Sequence, residues 1–211
     1  MRITLFLILT LLGQLLTAVS PACADVPPDC NLSPDTVAEI RLYLTAEDNV
    51  PFLDMWTAGE LVCATIDIYY NDPEDAYLHD RVLTGAVVLM GMTGDSRAVP
   101  VLIDAIDTHP SQALYNLGNF PTVDALNALV ANVRNEDDEA RENAAEGLRR
   151  MQAPATGEVE DGWAEALDAA LVEVGEWMIQ EPVEDFRNYF LDAYANLENL
   201  QETAQTSAGT H

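Results

Sequence analysis

Apolar residues along this chain recur at intervals of three and four, the spacing of one helical face. No stretch alternates in the manner of strands joined by hairpin turns. Ser33-Pro34 reads as the cap and first residue of a helix running to about Thr45, with Val37, Ile40, Leu42 and Leu44 on its apolar face. Asp54 is expected to cap a second helix that buries Leu61, Ile66 and Ile68 and reaches about Tyr70. Asn71-Asp72-Pro73 ends it, because proline disfavours helix at the residue before it. A third helix is expected from Glu74 to Met92, through Leu78, Val82, Ala86, Leu89 and Met90. Gly94 closes it in the left-handed role that glycine fills at little cost. Asp95 or Ser96 then caps a fourth helix, whose first turn tolerates Pro100 and whose stripe is Val99, Leu102, Ile103 and Ile106.

The pattern continues with variation. Ala113 to Asn119 is a short helix ending at glycine, and Pro121 to Val133 is its partner. A further unit opens with the acidic run Asn135 to Glu139 and carries Ala140, Ala144, Leu148 and Met151. A Pro/Gly/acid loop at Ala153 to Asp161 precedes two longer helices, about Gly162 to Met178 and Val183 to Leu200. Trp163, Leu167, Leu171, Val174 and Met178 face one way in the first, and Phe186, Tyr189, Phe190 and Tyr194 give the second an aromatic face. Gln201 to His211 is polar and expected to be a disordered tail. Helices of this length joined by short turns predict an all-α fold of antiparallel pairs stacked in a row.

One stretch is more specific. Gly91-x-x-Gly94-Asp95-x-x-Ala98-Val99-Pro100-x-Leu102 resembles the short HEAT-like repeat also found in phycobilisome lyase subunits. A shift of 24 residues sets Gly118 opposite Gly94, Val123 opposite Val99 and Leu126 opposite Leu102. The resemblance implies a short α-solenoid over residues 34–200, with a concave surface for a protein or peptide. Gly91, Gly94, Asp95, Pro100 and Gly118 are then structural joints, and the lyase activity is not carried over. Flanking helices act as caps, since one repeat cannot bury its apolar face alone.

The first 24 residues read as an export signal: Arg2, an almost wholly apolar run from Leu5 to Val19, and Ala22-Cys23-Ala24 as a small-x-small cleavage site. Lipidation at Cys23 and an uncleaved anchor are the competing readings, the first poorly served by Ser20-Pro21. No later stretch is apolar enough for a membrane span. Residues 25–33 form a tail without periodicity. A periplasmic or secreted chain cut after Ala24 keeps two cysteines, Cys30 and Cys63, and an even count in an oxidising compartment points to one disulfide.

Charge changes the picture of partners. The chain carries 36 acidic residues against nine basic ones, all arginine, for a formal net charge of −27. Such a field repels nucleic acid and anionic membrane and favours a cation or a basic protein or peptide, although solubility alone is also served by acids. No catalytic constellation emerges and nothing calls for a cofactor. His79, His109 and His211 are scattered, and His79 beside Asp75 or Asp80 reads as solvated helix surface. Ser96 lacks a nucleophile elbow and suits a cap. Glu136-Asp137-Asp138-Glu139 reads as acids at a helix N-terminus, with a calcium-type site or an enzyme using surface carboxylates as the alternative. Asp104 and Asp107 are placed near Arg97, beside a groove, and Trp56, Trp163 and Trp177 are expected in the core unless one is exposed as an anchor. The expected role is that of an exported contact protein with an acidic surface.

Overall fold

The computed structural model describes residues 30–45, 55–155 apart from 75 and 77, and 160–208. The segment expected to direct export, Cys23, Asp54, Asp75 and His211 lie outside the described residues. Those described form nine α-helices and a short 3-10 turn, with no strand among them. The helices are α1 (Pro34–Thr45), α2 (Ala58–Asn71), α3 (His79–Thr93), α4 (Ala98–Asp104), α5 (Pro110–Leu117), α6 (Val123–Ala131), α7 (Asp138–Arg150), α8 (Trp163–Gln180) and α9 (Glu184–Ala208). None is long and apolar enough to cross a membrane.

Local chemistry sets the boundaries. α2 starts at a capping box that replaces the expected Asp54 cap: Thr57 Oγ1 accepts from Glu60 N–H, and the Glu60 carboxylate accepts from Thr57 N–H at 2.8 Å. α3 starts at His79 rather than Glu74, after Pro73 and after Leu78, which holds a left-handed φ of 62°. Gly94 ends α3 at φ 67°. Thr122 and Asp137 cap α6 and α7 through their own side chains. Within α7, Asp138 and Glu139 lie in the first turn and Arg149 and Arg150 in the last, which complements the helix dipole. α9 continues through the expected tail to Ala208, because Leu200 is buried and Ala204 packs against the core.

Each helix from α1 to α7 packs on the helix two places further along, and α1 to α6 also pack on their immediate successors. This makes two interleaved rows, α1-α3-α5-α7-α9 and α2-α4-α6-α8, with α8 also against α9. α2 is apolar on opposite sides and serves two clusters. Val62, Cys63 and Ile66 join the main core, which runs from there to Leu200. Leu61, Ala64 and Ile68 join a smaller one with Ile40, Leu44, Val82, Ala86 and Leu89. Leu42, expected on the apolar face of α1, is 65 % exposed.

Cys30 and Cys63 form the disulfide, which ties the N-terminal segment to α2 across a sequence separation of 33. Closing a loop of that size restricts the unfolded chain by roughly 3–4 kcal/mol. The variant Cys30→Ser/Cys63→Ser is expected to unfold at correspondingly lower urea concentration, whereas an unchanged midpoint would contradict this account of the bridge.

Candidate interaction surface

The turn carrying the repeat-like motif is a structural knot. Asp95 Oδ1 accepts from Arg97 N–H at 3.1 Å and from Arg97 Nε at 2.9 Å, and Oδ2 accepts from Nη2 at 2.6 Å. The Arg97 hydrogen bonds hold the Asp95 carboxyl below the usual range against its partial burial. Arg97 Nη1 also lies 3.4 Å from Cys63 Sγ and 3.8 Å from Cys30 Sγ. Asp95 thus fixes the turn through an aspartate-centred loop and an ion pair, which in turn braces the disulfide. Pro100 sits in the first turn of α4, as expected.

The glycines of the motif differ from one another. Gly94 needs its positive φ and faces open space. Gly91 lies inside α3, where a Cβ would come 2.1 Å from Asn116 Oδ1. Gly118 has an ordinary φ of −61°, so it does not play the left-handed role of its aligned partner Gly94. Its bareness lets α5 touch α7: a Cβ there would come 2.4 Å from Gly147 O.

His79 is not solvated surface. Its Nδ1 lies 2.8 Å from Oδ2 of Asp72, whose side chain is 1 % exposed and whose other oxygen takes Arg41 Nε. This cluster ties the ends of α1, α2 and α3. Burial pushes the Asp72 carboxyl up, and the hydrogen bonds from Arg41 and His79 overcome that and hold it below its ordinary value. A lowered folded pKa contributes stability above the unfolded value of about 4, and that stability disappears as pH falls through the folded value. Asp72→Asn is therefore expected to be less stable than the parent at pH 7, with the gap narrowing as pH drops below about 4. Parallel unfolding curves across that range would contradict the assignment.

The remaining candidates disperse. Asp104 accepts from Tyr70 Oη at 2.7 Å while Arg97 pairs with Asp95. Burial and this carboxylate push the Tyr70 phenol up. His109 approaches Thr108 and the Tyr69 ring, and burial lowers its pKa. In the acidic run, Asp137 caps α7, Asp138 pairs with Arg141 at 2.6 Å, and Glu136 and Glu139 are exposed. Among the described residues no group of three or more histidines, cysteines or carboxylates is placed to hold a metal ion. Trp163 is buried in the core, Trp56 packs on the smaller cluster, and Trp177 donates to Glu181.

The α1-α3-α5-α7 row carries the exposed apolar side chains Val88, Met92 and Tyr115 beside two depressions, while Val172 and Ile179 are exposed on α8 and Leu191 on α9. A depression of about 610 Å³ between α1 and α3 is lined by Tyr43, Leu44, Val88, Leu89 and Met92, with Asp80 and Arg81 at its edge. A second, of about 280 Å³, is shared by α3, α5 and α7 and is lined by Val88, Gln112, Tyr115, Glu139 and Asn143. Val88 borders both. Arg150 stacks 4.0 Å over the Tyr115 ring, Arg149 pairs with Glu146, and the Glu142 carboxylate pushes the Tyr189 phenol on α9 up. The sequence signal for this face was Val88 and Met92 standing off the buried stripe of α3, a signal that periodicity alone does not separate from noise.

No family model, curated protein or solved structure matches the chain.

Proposed function

We propose that the protein is an exported interaction module, periplasmic or secreted, built as a short α-solenoid of HEAT-like antiparallel helix pairs and engaging a basic protein or peptide. The observation that carries this reading is the α1-α3-α5-α7 row of the two-row packing, where exposed Val88, Met92 and Tyr115 border two adjoining depressions. Large apolar side chains held in solvent on a chain of net charge −27 suit a contact surface. The disulfide and the lack of a membrane-crossing helix among the described residues are compatible with export. The contact reading is tested by immobilising the disulfide-bonded chain in envelope extract at low and high salt. Retention of a basic protein, weakened as salt rises, is the expected result. Retention of nothing at either salt contradicts the reading.

A further inference from the structure

Resting on that reading, we infer that the two adjoining depressions on the α1-α3-α5-α7 row form one docking groove for a basic amphipathic helix. Its occupant presents two apolar anchors about two turns apart and lysines or arginines beside them.

The geometry supplies the spacing. The first depression lies between α1 and α3, and the second lies beyond α3, against α5 and α7, with Val88 as their common wall. Neighbouring helix axes stand about 8–10 Å apart. Side chains at i and i+7 of a helix are separated by roughly 10 Å along its axis, so a helix crossing the row sets one anchor on each side of α3. Val88, Met92 and Tyr115 are the apolar surfaces such anchors meet, with Ser111, Gln112, Asn116 and Asn143 around the second. Met92 is 62 % exposed and its thioether adapts to irregular apolar shapes, while Tyr115 presents a ring held by Arg150.

Charge selects the sign of the partner. Asp80 and Glu139 stand at the two depressions against Arg81. Arg149 pairs with Glu146, and Arg150, over Tyr115 and bonded to Asn119, keeps its charge beside the second depression, so the attraction of a cation comes from the chain as a whole. Beyond the groove the whole chain is acidic, so an approaching cationic helix is attracted over long range and an acidic one repelled.

The test uses the full disulfide-bonded chain and a short Leu/Lys peptide with leucines at i, i+3, i+4 and i+7, measured by fluorescence anisotropy. An isomer of the same composition, with leucines spread around the helix, controls for charge. The patterned peptide is expected to bind roughly ten-fold tighter than its isomer. Val88→Arg/Met92→Arg is expected to remove about that factor, and Met92→Arg alone serves if the pair unfolds. Ile179→Arg, at a side chain 78 % exposed on α8, adds like charge away from the groove and is expected to leave the ratio unchanged. Equal binding of the two peptides, or full binding by the Met92 variants, overturns the groove. If the envelope protein is still retained by those variants, the interaction reading survives that failure. If the patterned peptide binds as expected but no envelope protein is retained, the groove stands and the interaction reading falls.

Discussion

Replacing Arg141 by methionine is expected to destabilise the protein by about 3–5 kcal/mol, read from denaturant unfolding. Arg141 and Glu181 are buried, at 5 % and 1 % exposure, and sit 40 residues apart in sequence. Arg141 Nε donates to Glu181 Oε2 at 3.1 Å, Nη1 donates to Asn135 O at 2.8 Å, and Nη2 donates to Asp138 Oδ1 at 2.6 Å. Glu181 also accepts from Trp177 Nε1 and from Val183 N–H. Burial works against the Arg141 charge, and the carboxylates of Glu181 and Asp138 more than offset it, raising its pKa. Removing the arginine leaves a carboxylate without its counter-ion in a dry site. The double variant Arg141→Met/Glu181→Leu removes both charges together and is expected to recover much of the loss. Simple addition of the two single losses would contradict the buried-pair account.

The second large effect concerns the crossing of α5 and α7. Gly118→Ala is expected to cost about 3 kcal/mol, the upper end for overpacking, because the new Cβ meets Gly147 backbone at 2.4 Å from O and 2.7 Å from Cα. Backbone cannot rotate aside as a side-chain tip can, so the two helices must separate. Gly94→Ala is expected to cost only about 1–2 kcal/mol, from the left-handed φ alone, since nothing lies within 4 Å of its Cβ position. Thermal melts of the two variants compare these causes directly. A milder effect at Gly118 than at Gly94 would contradict the close crossing.

The all-helical fold was legible in the three-and-four spacing of apolar residues, because helix burial and helix period are coupled. Ends were less legible. Thr57-x-x-Glu60 is a readable capping box, and it lies between Asp54 and the apolar run that Asp54 was expected to cap. Gln201 to Ala208 looked too polar to order, yet Ala204 rests on the core and lets α9 continue. The site was less legible still. Asp72 and His79 stand seven residues apart across a proline break, and Arg141 and Glu181 stand 40 apart, so no local period marks either pair. The 24-residue shift aligned Gly94 with Gly118 correctly as glycines, but one answers to backbone angle and the other to helix contact.

The claim that this chain works by contact through the α1-α3-α5-α7 face is tested most directly by photocross-linking in the producing cell. A photoreactive side chain placed at Met92 is expected to capture a basic exported protein, and the same group at Ile179 is expected not to. Adducts of equal yield from both positions, or none from Met92, would contradict it.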